Sequence, residues 1–298
     1  MARLLQANVM VLLVAALAWL AAFWSRAPRL AVGGAVTIAM AYSLVLALEL
    51  LALRIAGSRD PAAVPEFADL VRAWAKETVF DLVVFGWRQP FCWRELPDRL
   101  ECDSCGTPRR GAVFIHGFAC NRGFWAPWLK RMQQLGHPFI AVNLEPVFGA
   151  IDLYAPIIDE AVRRMTAATG LPPVLVCHSM GGLAARAWLA SHSAQERVDR
   201  VISIAAPHRG TWLARFSRLA NGRQMQIDSA WLRSLAQVED AQAHARFICW
   251  YSNCDNVVFP VSSATLPGAD NRFVPGKAHV DLAFDATVIE ESLALIAR

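Results

Sequence analysis

The sequence predicts an α/β fold: a mostly parallel, doubly wound sheet with a helical insertion over one edge, preceded by a pair of apolar helices. Three observations carry this reading. From Gly111 onward, short apolar runs bounded by turn residues alternate with segments of helical period, the pattern of βαβ units whose sheet is covered on both faces. The alternation stops between Thr211 and Ala245, where partly apolar helical sequence takes over. Ahead of both lie two long uncharged runs.

No charged residue occurs from Leu4 to Trp24, or again from Leu30 to Leu48, with Glu49 near the far end. A helix rising about 1.5 Å per residue crosses the hydrocarbon core in roughly 20 residues, a length both runs meet. Between them, Ser25-Arg26-Ala27-Pro28-Arg29 supplies a polar turn, with Trp19 and Trp24 placed for an aromatic belt. Residues 1–57 therefore read as a two-helix transmembrane hairpin. A cleaved signal peptide is the competing reading, but its apolar region is shorter and no second span follows it. A hairpin returns the chain to its starting side. Arg3, Arg54 and Arg59 on that side, against Arg26 and Arg29 in the loop, tilt the rest of the chain toward the cytoplasm.

Residues 58–110 read as a linker and the beginning of the main domain, 111–298. Within the first part, Phe67, Leu70, Val71 and Trp74 recur at helical spacing, fitting either an interfacial helix or one packed on the domain. Strands are expected at Ala112–Ile115, Phe139–Leu144, Val174–Cys177, Val201–Ile204 and Phe247–Tyr251. Helices are expected at Phe124–Gln134, Ile151–Thr169, Gly182–Ser191 and Ala283–Ala297. The insertion, about 211–245, is placed to form a cap or lid over the sheet's carboxyl edge.

Composition narrows the function. Of 298 residues, 55% are hydrophobic and 18% charged, and a mean hydropathy of +0.33 is more apolar than an ordinary soluble domain. The net charge of +4 is spread along the chain, with no basic cluster to bind nucleic acid; a bilayer is the better-suited partner. Cys102 and Cys105 form a lone CxxC with Cys92 nearby and no second ligand pair. No metal is expected; a redox pair, a disulfide or incidental thiols remain open. Free cysteines also fit a cytoplasmic setting.

The stretch Val174-Leu175-Val176-Cys177-His178-Ser179-Met180-Gly181-Gly182 is a strand, then x-Ser-x-Gly, then a helix. It approaches the G-x-S-x-G elbow, whose strained turn exposes a serine oxygen, except that Cys177 stands where glycine is usual. One βα unit upstream, Val113-Phe114-Ile115-His116-Gly117-Phe118 is a strand leading into His-Gly. Such sites take one oxyanion donor from that earlier loop and one from the residue after the nucleophile, here the N–H groups of Phe118 and Met180. His116 and His178 are expected as structural neighbours.

An acid and then a histidine should follow the serine. Asp255 lies just past the Phe247–Tyr251 strand, and His279 lies in a loop before the closing helix. His279 would take the serine proton, and Asp255 would hold its tautomer. Asp270 and Asp281 are rival acids that follow no predicted strand; His208 precedes the acid; His137, His192 and His244 lack context and read as surface residues. Trp125, Trp128, Trp212, Trp231 and Trp250 suit an acyl-binding wall or, taken singly, a large core.

With these motifs the chain resembles bacterial lipases and esterases of the α/β-hydrolase superfamily, including inositol-deacylase-like relatives. The carrying residues are His116-Gly117-Phe118, His178–Gly182, Asp255-Asn256-Val257-Val258 and His279. Pro207-His208-Arg209-Gly210-Thr211 is similar to a loop after the sixth strand of those lipases, and Ser229–Leu235 to their lid helix. The likeness covers about residues 110–298. It implies cofactor-free cleavage of lipid or acyl esters through an acyl-serine intermediate at a membrane, such as a bacterial inner membrane. An acyltransferase using the same triad, and a non-catalytic membrane scaffold, remain alternatives.

Overall fold

The computed structural model describes residues 1–57, 60, 64–101, 109–192, 195–239 and 241–298; Cys102 and Cys105 lie outside them. Four helices come first: α1 (Ala2–Phe23), α2 (Pro28–Ala39), α3 (Ala41–Ala56) and α4 (Phe67–Val83), the last continued by a π-helical stretch, Val84–Cys92. Strand β1 (Ala112–Ile115) then leads through α5 (Ala126–Gln134) to β2 (Phe139–Ala141). Helix α6 (Ala155–Thr169), β3 (Val174–His178), α7 (Met180–His192) and β4 (Arg200–Ile204) follow. The insertion holds α8 (Ala220–Gln224), α9 (Ala230–Val238) and α10 (Ala241–His244). Strands β5 (Phe247–Tyr251) and β6 (Asp270–Phe273) and helices α11 (His279–Ala283) and α12 (Ala286–Ile296) close the chain.

The six strands form one sheet in the order β2-β1-β3-β4-β5-β6, and every neighbouring pair is parallel. The period-2 alternation of a strand divides the apolar residues between two cores. Val113, Ile115, Leu175 and Cys177 face α6 and α7, whereas Ala112, Phe114, Val174 and Val176 face α5 and α12. Because both faces are covered, β1 is apolar throughout and β3 is apolar up to its terminal His178. Chain order reverses between β1 and β3, so the loops leaving their carboxyl ends diverge and open a crevice.

The structure adds one strand that periodicity does not mark. The edge strand β6 is largely exposed, with burial only at Arg272 of intermediate degree, so it lacks an apolar run, and its charged residues suit a sheet edge.

The N-terminal segment differs from a simple hairpin. Helix α1 has a mean hydropathy of 2.1, buries none of that apolar window, and is long enough to cross a membrane. The second uncharged run forms a bent pair, with α2 and α3 meeting at 55°. The bend follows from what α3 touches. Its Leu50 and Leu53 join Leu70 and Ala73 of α4 and Cys254, Phe259 and Ala278 of the main body in a third core. The Trp74 indole donates to the Ser43 carbonyl (2.8 Å) and the Tyr42 hydroxyl to that of Thr78 (2.8 Å). Hydropathy cannot distinguish a helix laid on protein in this way from one surrounded by lipid.

Candidate active site

Ser179 sits between β3 and α7 with φ of +53°, a left-handed conformation costly for a residue bearing Cβ and typical of functional turns. Its N–H donates to the Ile204 carbonyl of the neighbouring strand (2.9 Å). The glycines around it are steric requirements. A Cβ on Gly181 would stand 2.5 Å from the Ile115 carbonyl oxygen, one on Gly182 2.6 Å from Ala206 Cβ, and one on Gly117 2.8 Å from Ser179 Cβ. Cys177 is tolerated where glycine is usual because its side chain enters the α6/α7 core. Burial raises its thiol pKa, keeping it protonated and inert.

His279 opens α11 and is buried, as is Asp255 in the turn after β5. The imidazole Nδ1 lies 2.9 Å from Asp255 Oδ1 and 3.1 Å from Oδ2. Oδ1 also accepts from the N–H groups of Val257 (2.9 Å) and Val258 (2.8 Å), which fixes the carboxylate. With Nδ1–H directed at a carboxylate, Nε2 is left as the basic nitrogen. Ser179, His279, Gly117 and Phe118 line one cavity of about 370 Å³. Met180 is the first residue of α7, so its N–H lacks an intrahelical acceptor.

Five other histidines, His116, His137, His178, His208 and His244, have structural partners. His116 Nε2 accepts from Leu144 N–H (3.0 Å) while Nδ1 faces the Gly117 carbonyl (2.9 Å), and burial lowers its pKa to about 4. His178 stacks on Phe124 and donates from Nε2 to the His279 carbonyl (3.2 Å); burial keeps it neutral. His208 lies in the loop after β4, its Nε2 2.9 Å from Ser203 Oγ. His137, which reads as a surface residue, is buried against the Arg110 carbonyl, and half-buried His244 contacts Glu239. Of the rival acids, Asp270 opens β6 and pairs with Arg272, while Asp281 is buried within α11. Neither lines the cavity. Cys92, Cys120, Cys177, Cys249 and Cys254 are free thiols.

The cavity walls differ from the expected aromatic lining. None of the five tryptophans lines it among the described residues; Leu46, Phe85, Phe118, Leu213, Met225 and Val257 do. Trp125 and Trp128 are fully buried in the α5 core, which is the plain packing role. Leu213 and Met225 belong to the insertion, which is tied down by a buried pair: Arg186 of α7 makes two hydrogen bonds to Glu239 (2.7 and 2.6 Å).

Three further carboxylates line the cavity: Glu49 from α3, and Glu77 and Asp81 from α4. Motif reading passes over them because they lie outside every motif. A signal exists nonetheless, since Glu77 continues the buried stripe of Leu70 and Ala73 at helical spacing, an unusual place for a carboxylate. Burial, reinforced by Glu49 and opposed by His279, raises the Asp81 pKa to about 7, and its Oδ1 has no hydrogen-bond partner among the described residues.

Residues 112–287 match the model of the Alpha/beta hydrolase family, more than half of the chain. The chain belongs to the alpha/beta hydrolase family. Among solved structures, this hydrolase is similar to the mature lipase BlEst2 of Bacillus licheniformis, with a TM-score of 0.59 and 16% identity, covering 66% of this chain and 96% of that one. It is also similar to lipase B of Aspergillus fumigatus, with a TM-score of 0.56 and 16% identity, covering 66% of this chain and 55% of that one. At that identity the likeness is one of fold. No curated protein sequence matches the chain.

Proposed function

We propose that this hydrolase is a membrane-anchored serine esterase or lipase that cleaves carboxylic esters of acyl chains through an acyl-serine intermediate, with Ser179, Asp255 and His279 as its triad. The observation that carries the proposal is the shared cavity: a serine on a strained turn and an imidazole fixed by a buried carboxylate face one largely apolar space. In this reading Ser179 Oγ bonds to the ester carbonyl carbon as its proton passes to His279 Nε2. The carbonyl oxygen takes up the electron pair facing the N–H groups of Phe118 and Met180, each worth about 3 kcal/mol to the transition state. Collapse breaks the ester C–O bond, and the imidazolium protonates the departing alkoxide. Water, deprotonated by His279, then adds to the acyl carbon and frees acid and serine.

Two observations favour acyl esters. The walls formed by Leu46, Phe85, Leu213 and Met225 are what an alkyl chain would meet, and both structural relatives are named lipases. The anchoring rests on α1, 22 residues spanning about 33 Å. In this reading the 211–245 insertion acts as the lid.

A fluorophosphonate probe tests the nucleophile. The parent protein should be labelled, and Ser179→Ala should lose both labelling and p-nitrophenyl ester turnover, with kcat falling by roughly 10⁴-fold or more. Equal labelling of the two proteins would remove Ser179 from the mechanism.

A further inference from the structure

Three consecutive N–H groups at the start of α11 carry the backbone of His279. The helix has five residues, its N-cap is Ala278, and no side chain of its own segment caps it. A helix that short is unstable alone, and its first N–H groups have no internal acceptor. All three are instead satisfied from elsewhere. His279 N–H donates to Asn256 Oδ1 (3.1 Å), Val280 N–H to Glu77 Oε1 (2.7 Å), and Asp281 N–H to Glu77 Oε2 (2.9 Å). The Asn256 amide is itself oriented, because its Nδ2 donates to Glu49 Oε2 (2.6 Å). Glu77 is almost entirely buried at the cavity wall, and each of its carboxylate oxygens accepts from one of the two N–H groups.

We propose that Glu49 and Glu77, supplied by α3 and α4 ahead of the family-matched segment, are positioning residues that hold the His279 backbone in place. This inference rests on the reading of His279 as the general base. The N-terminal helices then do more than tether the enzyme: they cap, about 200 residues away in sequence, the helix on which the base is mounted. Burial and the neighbouring Asp81 hold the Glu77 pKa well above the ordinary carboxylate range, and the two N–H donors oppose that shift. With one N–H on each oxygen, the contacts are those an ionised, doubly accepting carboxylate makes. The helix N-terminus favours a negative charge at the same place.

The expected readout is a split between kcat and KM. Glu77→Gln keeps shape but turns an NH2 group toward a backbone N–H, so kcat should fall about 10- to 100-fold with KM within about two-fold, as a displacement of about 1 Å at a reacting group does. Glu49→Leu removes the acceptor for Asn256 and should lower kcat about 10-fold. Glu49→Gln can still accept that hydrogen bond and should restore kcat to within about three-fold of the parent. The full-length protein in detergent is used, with kcat taken per folded molecule from fluorophosphonate titration and Tm as the check on folding. Should Glu77→Gln not fold, the Glu49 pair decides. Folded Glu77→Gln with parental kcat, or Glu49→Gln no better than Glu49→Leu, would overturn the inference. In both cases an inactive Ser179→Ala leaves the triad standing, whereas an active Ser179→Ala removes the reading beneath it.

Discussion

Asp81 shows how burial turns an ordinary carboxylate into a pH-dependent element of the site. Its side chain faces the cavity beside Glu49 and Glu77, and its pKa of about 7 stands well above the ordinary 3.8. The folded state thus binds its proton more tightly than the unfolded state. The associated stability is fully present below about pH 4 and declines as pH rises toward 7. Asp81→Asn, which is neutral at every pH, removes that decline. The Tm difference between variant and parent should therefore grow in the variant's favour from pH 4 to pH 7.5. A difference constant across that range would show that Asp81 ionises normally. At the same scale, Cys177 illustrates a motif departure whose cost is removed by packing: the position needs a compact side chain compatible with the core, and a buried thiol meets that need.

Among the elements, the insertion between β4 and β5 is fastened to α7 by a buried ion pair. Arg186 of α7 holds Glu239 at the end of α9 and also donates to the His208 carbonyl. Breaking a buried pair leaves an uncompensated charge, at a cost of about 3–5 kcal/mol, whereas replacing both partners with apolar groups is often nearly neutral. Glu239→Ala should lower Tm by about 10 °C for a domain of this size. Arg186→Met with Glu239→Leu should recover most of that loss. Differential scanning calorimetry of the three proteins decides it, and a double variant no more stable than Glu239→Ala would argue against the pair as the fastening. The helical character of this insertion is legible in the sequence; its fastening to α7 is not, because residues 186 and 239 approach only once β3, α7 and β4 are stacked.

For the whole molecule, the question is how the apolar N-terminus and the sheet combine. Helix α1 buries none of its apolar window yet touches the body, with Gln6 Nε2 donating to the Pro90 carbonyl (2.7 Å). If α1 lies in a bilayer, Leu13→Arg with Val14→Arg should cost roughly 5–7 kcal/mol of insertion. The variant should shift from the membrane pellet to the soluble fraction while keeping esterase activity. An unshifted distribution would assign α1 a role other than anchoring.

The parallel sheet and the positions of Ser179 and Asp255 just past the carboxyl ends of β3 and β5 were readable from sequence because each rests on local pattern. Apolar runs bounded by turns mark buried strands, and small residues mark the strained turn. Only the tertiary structure decided that β6 pairs at the edge, that α3 bends onto the body instead of continuing as a straight apolar helix, and that Glu49, Glu77 and Asp81 enter the cavity. These are contacts between segments tens to hundreds of residues apart. Hydropathy reports how a side chain partitions from water, and it is silent about whether lipid or protein receives it.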